Sequence, residues 1–420
     1  MRSMNIVLIG FGSRGDVQPL LALAKGLQSA GHSVSIAAAS DFQAMVEAVG
    51  IPYARIQTDM RALMNSDAGK AWIEESRSSM EEGRNMRRMI NAVGASFSDD
   101  LLAAVAGADL IVSGLTSFGI AQAAAEKSGQ KHILALFAPL NPTSNPAATM
   151  IPMISGANIF LNRVAGSIAQ YFTHWVFKDT VNRFRQSLGL KAQTFRQYTH
   201  ELNHNTPVLY GVSPLVMPHP GDWGHQLHVT GYWIAPHPVW QPPAALRDFL
   251  DAGEPPVYIG FGSMSNKNPE ATTEIMIAAL QRAGRRGIIH SGWAGLQSAN
   301  VPEDVFVLDF APHDWLFPRM AGIIHHGGAG TTAAALYSGV PSSVVAHMAD
   351  QPFWGRRIHE LGVGGRPIRR HKLNIENLAA VIHHITTDQP MKANALALAE
   401  KLKQEDGVAE AIKVIEGALA

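Results

Sequence analysis

Short apolar runs alternate with longer amphipathic stretches along the first half of the chain. Apolar runs without polar alternation indicate strands that are covered on both faces, and the amphipathic stretches between them indicate helices. For example, QPLLALAKGLQSAG at 18–31 predicts a helix after the first strand, with Gly31 as its C-cap. The predicted strands of this half are NIVLIG (5–10), SVSIAA (33–38), DLIVSG (109–114), HILALF (132–137) and PVLYGV (207–212).

A stretch rich in Pro, His and Trp interrupts this alternation at 218–243, and it predicts a linker. The alternation then restarts, and from about residue 373 to the end the pattern is helical. We therefore expect an N-terminal domain at 1–217 and a C-terminal domain at 244–420, whose last helices pack back on the N-terminal domain. The predicted strands of the second half lie in VYIGFGSMSN (257–266), IIHSGW (288–293), VFVLDF (305–310), GIIHHGG (322–328) and SSVVAH (342–347).

Strand–helix alternation in both halves predicts an α/β protein with two Rossmann-like, doubly wound parallel sheets. VYIGFGSMSN at 257–266 repeats the pattern of VLIGFGSRGD at 7–16, which supports two similar domains. We expect these domains to face each other across a cleft, because ligands bind at the carboxyl ends of the strands in such sheets.

The composition excludes several function classes. Lys plus Arg is 34 and Asp plus Glu is 34, so the chain carries no net charge and a nucleic-acid partner is not expected. The absence of cysteine excludes disulfides, thiolate metal sites and cysteine nucleophiles, and it favours a reducing, cytoplasmic setting. The N-terminal MRSMNIVLIG has no signal-peptide layout, and no run of about 18 apolar residues predicts a transmembrane helix.

The first glycine loop has the spacing of a dinucleotide fingerprint. Gly10, Gly12 and Gly15 spell G-x-G-x-x-G after a strand, as in nicotinamide-dependent oxidoreductases. However, the carboxylate of Asp16 directly follows the third glycine, where it would repel a pyrophosphate. Asp41 is the nearest acid for a ribose, and it follows the small residues after the second strand. These features argue against a nicotinamide cofactor.

The second half contains a stronger phosphate-binding pattern, IIHHGGAGTTAAALYSGVP at 323–341. Glycines after a strand expose backbone N–H groups, and the helix that follows offers the positive end of its dipole and hydroxyl donors. The loop lacks the lysine of a Walker motif, so a neutral or protonated His325 is the expected extra donor. Further along, Asp350 and Gln351 follow another strand. Their carboxylate and amide suit the hydroxyls of a polyol, although Asp350 also fits a helix N-cap.

Five segments together resemble family 1 glycosyltransferases of GT-B fold, and the subgroup with sterol glucosyltransferases and glycopeptide-antibiotic glycosyltransferases is the most similar. The region 55–205 carries no matching motif, and in such families it shapes the acceptor pocket. The matching segments are GSRGDVQP (12–19), SGWAGL (291–296), PHDWLF (312–317), HHGGAGTT (325–332) and DQPFWG (350–355).

The resemblance implies an inverting, metal-independent transferase that uses a nucleotide sugar and no cofactor. The implied donor is UDP-glucose, with dTDP-sugars also open, and the implied acceptor is a hydrophobic sterol, polyketide, polyphenol or lipid. Asp16 would be the general base, and Ser13 would support its loop. The implied donor-binding residues are Gly262, Ser263, Trp293, Phe310, His313, His325, Gly327, Gly328, Ala329, Gly330, Thr331, Asp350 and Gln351.

Two points stay open at this level. A carboxylate near a helix N-terminus is expected to have a lowered pKa, which would make Asp16 a poor base. The methionines and aromatic residues around 149–177 suit an apolar acceptor pocket or a surface that touches a membrane, but ordinary core packing explains them equally well. The alternative function is a non-catalytic nucleotide-sugar-binding partner of another glycosyltransferase.

Overall fold

The computed structural model describes residues 3–72, 78–150, 159–235, 240–262, 269–291 and 301–419. The chain divides into two compact units. The first consists of Met1–Pro236 together with Glu405–Ala420, and the second of His237–Gln404.

In its described residues, the N-terminal unit contains a seven-stranded parallel sheet with the order β3-β2-β1-β4-β5-β6-β7. Its central strands are almost wholly buried, as their unbroken apolar sequences predict. The strands are β1 (Asn5–Gly10), β2 (Ser33–Ala39), β3 (Tyr53–Ile56), β4 (Leu110–Ser113), β5 (Lys131–Leu136), β6 (Val208–Tyr210) and β7 (Leu227–Val229). The helices between them are α1 (Arg14–Ser29), α2 (Gln43–Glu47), α3 (Met60–Asn65), α4 (Asp67–Lys70), α5 (Ser79–Ala104), α6 (Phe118–Ser128), α7 (Ile159–Ser187) and α8 (Phe195–His200).

The described residues of the C-terminal unit form a six-stranded parallel sheet with the order β10-β9-β8-β11-β12-β13. Two doubly wound parallel sheets confirm the predicted fold class. The strands are β8 (Val257–Gly260), β9 (Gly287–His290), β10 (Val305–Leu308), β11 (Gly322–His325), β12 (Ser342–Ala346) and β13 (Ile368–Arg369). The helices are α9 (Ala244–Asp251), α10 (Pro269–Arg282), α11 (His313–Leu316), α12 (Ala329–Ser338), α13 (Gln351–Glu360), α14 (Ile375–Thr387) and α15 (Gln389–Leu402).

The last helix, α16 (Gly407–Leu419), packs against α1 in the first unit. The two helices approach closely at Gly26, where a Cβ would collide with the side chain of Val408. The last helix thus packs back on the N-terminal unit, as expected, although the expected C-terminal range of 244–420 extends past the change of unit at Glu405. The apolar side chains of α16, such as Ala411 and Ile415, belong to the core around α1.

The predicted linker at 218–243 is wrong over most of its length. Strand β7 lies within it and pairs in parallel with β6. Trp233 is buried in the N-terminal core, and its indole N–H donates to Thr230 Oγ1 at 3.0 Å. The strand escaped prediction because it is three residues long and contains His228, so it has no apolar run. The boundary between the units falls instead between Pro236 and His237.

Among the described residues, no helix carries an apolar stretch long enough to cross a membrane.

Candidate active site

The glycine loops lie at the carboxyl edges of the two sheets. The strand order reverses between β1 and β4 in one sheet, and between β8 and β11 in the other. At such a switch point the connections leave in opposite directions and open a crevice for a ligand. Residues 11–13 follow β1, whereas 261–262 and 326–328 follow β8 and β11. Both predicted loops therefore occupy the positions where doubly wound sheets bind ligands.

Ser13 and Asp16 form a capping box at the start of α1. The Ser13 Oγ accepts a hydrogen bond from the backbone N–H of Gly15 at 3.2 Å. In return, Asp16 Oδ2 accepts from the Ser13 backbone N–H at 2.7 Å and from the Ser13 hydroxyl at 3.0 Å. The structure thus brings the two predicted catalytic residues into direct contact.

Gly12 is required for this arrangement. Its φ is +149°, a conformation that residues with a side chain rarely adopt. A Cβ on Gly12 would also collide with Asp16 Oδ2. The second glycine of the motif therefore makes room for the Asp16 carboxylate rather than for a pyrophosphate.

The pKa of Asp16 is raised above its usual value, which reverses the sequence expectation. The largest cause is burial of the carboxyl group, and the hydrogen bonds from Ser13 act in the opposite direction. The helix N-terminus was expected to lower the pKa, but desolvation outweighs the donors at this position. A higher pKa makes the Asp16 carboxylate a stronger base.

The loop after β4 fixes the backbone of the first glycine loop. The hydroxyl of Thr116 donates to the carbonyl oxygen of Phe11, and the Gly114 N–H donates to the Ile9 carbonyl at 3.2 Å. The Phe11 ring packs on Phe97, with the ring centroids 4.0 Å apart. Asp16 is therefore presented by a loop that is anchored to two neighbouring elements.

The second glycine loop connects β11 to α12. Gly327 has a φ of +92°, and a Cβ there would lie 2.6 Å from Val344 Cγ1 on the adjacent strand. Gly328 is the N-cap of α12. The first N–H groups of a helix have no acceptor within the helix and lie at the positive end of its dipole, so this end of α12 suits an anion. The predicted donor-binding residues of this first turn are Ala329, Gly330 and Thr331.

His325, the last residue of β11, is fully buried and neutral. Burial, reinforced by the nearby His326 and His313, holds the pKa of His325 well below its usual value. Its Nδ1 accepts a hydrogen bond from the Gly327 N–H at 3.1 Å, so the proton lies on Nε2. Among the described residues, Nε2 has no hydrogen-bond partner. Of the two forms left open by the sequence, the structure therefore favours a neutral imidazole with an N–H to donate.

His326 lies between the two glycine loops of the C-terminal sheet. The His326 ring lies next to one glycine of each loop. A Cβ on Gly262 would lie 3.0 Å from His326 Cε1, and one on Gly328 would lie 2.6 Å from its Nε2. Burial lowers the pKa of His326 to about 4. The Gly262 backbone, which has a φ of +64°, thus contacts a neutral imidazole rather than a cation.

His347 adds a third neutral imidazole at this edge. It follows β12, its ring centroid lies 5.3 Å from that of Phe261, and its Nδ1 lies 2.9 Å from the carbonyl oxygen of Val345. Burial lowers its pKa to about 3. In the part of the chain that the structure describes, no three His, Asp or Glu side chains cluster with metal-binding geometry.

Side chains from α13 hold the loop between β12 and α13. The buried Gln351 accepts hydrogen bonds at Oε1 from the backbone N–H groups of His347 at 2.7 Å and of Met348 at 3.1 Å. Asp350 is the N-cap residue by position, but its side chain makes no capping hydrogen bond. Instead, its Oδ2 accepts from the indole N–H of Trp354 at 2.7 Å. Asp350 and Gln351 thus lie together at the carboxyl edge of β12, as predicted, and Gln351 also has a local structural role.

Of the remaining predicted donor-binding residues, two lie in the described part of the chain and two lie outside it. Phe310 follows β10 with 49% of its surface exposed, and His313 begins α11 with its ring stacked on Phe317 at 4.3 Å between centroids. Their contacts with a nucleobase stay predictions. Ser263 and Trp293 lie outside the described residues.

Sequence reasoning missed three residues of this site: His326, His347 and Trp354. The doublet at 325–326 was a usable signal, because successive residues at a strand end point to opposite sides. Trp354 was also within reach, since it follows Asp350 by four positions at a helix start, where such pairs meet. His347 carried no pattern that distinguishes it from other histidines after strands.

Two family models match the chain. The N-terminal domain of glycosyltransferase family 28 matches residues 6–123, which include the first glycine loop. The C-terminal domain of erythromycin biosynthesis protein CIII-like proteins matches residues 277–417, which include the second glycine loop and the loop before α13.

Curated relatives match almost the whole chain. It is 36% identical over 98% of its length to a sterol 3-beta-glucosyltransferase of Arabidopsis thaliana, and it spans 65% of that protein's length. It is 33% identical over 98% of its length to the O-mycaminosyltylonolide 6-deoxyallosyltransferase of Streptomyces fradiae, of which it spans 97%. These relatives act on acceptors as different as a sterol and a macrolide.

Among solved structures, the calicheamicin glycosyltransferase CalG4 matches with a TM-score of 0.71. The match covers 100% of this chain and 99% of CalG4, at 16% sequence identity. At this identity the likeness concerns the fold, which is the two-domain GT-B fold.

Proposed function

Because the chain belongs to the family of GT-B glycosyltransferases that contains these sterol and macrolide enzymes, we propose that it transfers a hexose from a nucleotide sugar to a hydroxyl of a hydrophobic acceptor. The observation that carries this proposal is the second glycine loop. It combines the free N–H end of α12 with a buried, neutral His325 whose Nε2 has no partner among the described residues.

On the donor side, these groups would bind the diphosphate. Backbone N–H groups and the His325 Nε2–H would stabilise the charge that develops on the leaving group. In other enzymes a metal ion supplies this stabilisation. Because the N–H groups of this loop would supply it here, we propose that transfer is metal-independent. Asp350 would accept a hydrogen bond from a sugar hydroxyl, and Gln351 would complete the sugar site.

On the acceptor side, Asp16 would act as general base. The acceptor oxygen forms a bond to the anomeric carbon as the bond from that carbon to the diphosphate oxygen breaks. Asp16 takes the acceptor proton, and the electron pair leaves with the diphosphate. A single displacement of this kind inverts the anomeric centre. The raised pKa of Asp16 supports this role.

The relatives and the exposed side chains of the N-terminal unit support a proposal for the substrates. We propose UDP-glucose as donor because the sterol relative is a glucosyltransferase, with a dTDP-deoxysugar as the alternative suggested by the macrolide relative. Helix α7 exposes the large apolar side chains of Phe160, Ile168 and Tyr171, which supports a hydrophobic acceptor or contact with a lipid surface. By contrast, Met60 and Met64 are buried and belong to the packing of the unit.

The test is transfer from UDP- and dTDP-sugars to a mixture of sterols, macrolides and polyphenols, with wild type beside Asp16→Asn. The amide oxygen of Asn accepts the Ser13 hydrogen bonds, so the loop should survive while the base is lost. We expect donor binding to be retained and transfer to fall by roughly 1,000-fold. Asp41→Asn is the matched control, because Asp41 Oδ1 likewise accepts from a backbone N–H, that of Met60 at 3.1 Å.

Each outcome has a distinct meaning. Transfer by wild type and Asp41→Asn, but not by Asp16→Asn, supports the proposed base. Transfer that survives in Asp16→Asn contradicts that role and leaves Asp16 as a capping residue. Donor binding without transfer to any acceptor in wild type would favour the non-catalytic, nucleotide-sugar-binding alternative.

A further inference from the structure

We infer that Trp354 is a positioning residue that orients the Asp350 carboxylate toward the donor sugar and thereby sets sugar selectivity. The inference rests on the proposed function, because it concerns the sugar subsite of the same reaction. It starts from the 2.7 Å hydrogen bond between Trp354 Nε1 and Asp350 Oδ2.

The bond joins a rigid donor to a side chain at the rim of the site. Trp354 lies one helical turn after Asp350, so the two side chains share a face of α13. The indole of Trp354 is fully buried and packs edge-to-face on Phe353, with the centroids 4.8 Å apart. Asp350 keeps part of its surface exposed. The N–H of a buried ring therefore fixes the position of one oxygen of the Asp350 carboxylate.

The backbone that carries Asp350 is held by the same helix. Ala349 has a φ of +51°, the left-handed region that is unfavourable for a residue with a side chain. Such a conformation persists only where the surroundings impose it, and it is common at ligand sites. Here Gln351 Oε1 binds the backbone N–H groups of His347 and Met348, directly before Ala349.

The two predicted sugar-binding residues thus have different roles. The side-chain Oε1 of Gln351 accepts hydrogen bonds from the loop backbone, so Gln351 fixes the position of the loop. Asp350 then supplies the carboxylate for the sugar, and Trp354 orients the plane of that carboxylate. A sugar hydroxyl must meet the carboxylate in this plane to form a good hydrogen bond, since such bonds weaken steeply with misalignment.

The test is Trp354→Phe, which keeps an aromatic ring and removes the N–H. Kinetics are measured with UDP-glucose and with analogues that lack one hydroxyl each at C2, C3, C4 or C6. We expect kcat/KM for UDP-glucose to fall about tenfold, because a hydrogen bond to a charged group is lost. One deoxy analogue, which lacks the hydroxyl that Asp350 binds, should be insensitive to the substitution. Affinity for the free nucleoside diphosphate should not change.

A double-mutant cycle separates positioning from general damage. In an Asp350→Ala background, Trp354→Phe should have no further effect, because its target is gone. Trp240→Phe is the matched control. It makes the same chemical change in a residue that packs on Trp315 in the same unit, and it should leave the analogue profile unchanged. If Trp354→Phe fails to fold, benzothienylalanine at this position removes only the N–H.

Equal losses with every analogue, or additive losses in the Asp350→Ala background, would overturn the inference. So would a Trp354→Phe profile like that of Trp240→Phe, and in either case the proposed function would stand. If wild type binds nucleotide sugars without transferring them, the same comparison is made on their affinities relative to the free nucleoside diphosphate. If wild type binds no nucleotide sugar, both the proposed function and the inference fall.

Discussion

The N-termini of α1 and α12 differ in what they offer a ligand, although the two sheets repeat one loop sequence. The loops after β1 and β8 both read GFGS, at 10–13 and at 260–263, and Gly12 and Gly262 both have positive φ. At the N-terminal loop, the helix start is occupied by the chain's own carboxylate, Asp16. In the C-terminal sheet, α12 begins after the neighbouring strand β11 and carries no acid in its first turn.

The difference indicates that the residue at the third helical position decides whether the helix N-terminus can accept an external anion. Asp16 is the third residue of α1, and Thr331 is the third residue of α12. An acid at this position satisfies the helix N-terminus from within, and it is then available as a base. A neutral residue leaves the N–H groups and the helix dipole to an external anion. The same kind of helix N-terminus can therefore present a carboxylate or offer its N–H groups to an anion.

The largest expected effect on donor binding comes from making the two helix starts alike. Thr331→Asp places a carboxylate at the third position of α12, as in α1. We expect the affinity for a nucleotide sugar to fall roughly 100-fold or more, because two like charges would lie within a few ångströms of each other. Stability should not fall, since an acid in the first turn is favourable for a helix. Calorimetric titration and thermal melting measure the two effects.

Thr331→Asn is the control for this change, because it has the size of Asp without the charge. Its donor affinity should stay within a few-fold of wild type. A similar loss in both variants would mean that the shape of the side chain, and not its charge, limits binding at this helix.

The next effect concerns which glycines the second loop needs. Gly327→Ala is expected to lower the free energy of unfolding by about 2–4 kcal/mol, through the left-handed backbone and the close contact with Val344. Gly330→Ala should be neutral or slightly stabilising, because a Cβ there meets no atom within 4 Å and Ala favours a helix. Denaturant unfolding of the two variants gives the comparison. Equal stabilities would contradict the assigned role of Gly327.

The smallest effect tests the loop before α13. Ala349→Gly removes the penalty of a left-handed alanine at a φ of +51°, and we expect a gain of about 0.5–1 kcal/mol in the free energy of unfolding. The gain should come without loss of donor affinity if Gln351 and Trp354 hold the loop. Weaker sugar binding in Ala349→Gly would mean that the backbone of Ala349 itself keeps the loop in place.

The central strands of both sheets were predicted from the sequence, whereas most of the strands at the sides of the sheets were not. Buried central strands such as β1 and β4 are continuous apolar runs, which are typical of parallel strands covered on both faces. The edge strands β3, β7 and β13 were missed, because they are short and partly exposed and therefore mix polar with apolar residues. The return of the last helices to the first unit was expected, but the point near Glu405 where the chain changes unit depends on contacts such as that of Gly26 with Val408, which no local pattern records.

Motifs indicated the candidate site, whereas its electrostatics required the structure. The glycines were recognisable from their spacing, and the family resemblance implied the role of Asp16. The direction of the Asp16 pKa was predicted wrongly, because burial depends on how the surrounding elements pack and not on the residue's place in its helix. The neutrality of His325 and His326 has the same origin. The Trp354–Asp350 bond depends on side-chain direction, which spacing limits without determining.

The central claim is that Asp16, presented by the first glycine loop, is the base, and that the second glycine loop, between β11 and α12, binds the donor. Its most direct test is the pH dependence of both steps in the wild-type protein between pH 8 and about pH 3.5. Binding of an intact nucleotide sugar should be flat down to about pH 5, because the pKa of His326 is about 4 and that of His325 lies well below its usual value. Transfer should instead fall with acid, because Asp16 must be deprotonated to act, with a midpoint above the usual aspartate value of about 3.9. Binding that strengthens as the pH falls through about 6.5, or transfer whose acid limb has its midpoint at or below the usual aspartate value of about 3.9, would contradict the account.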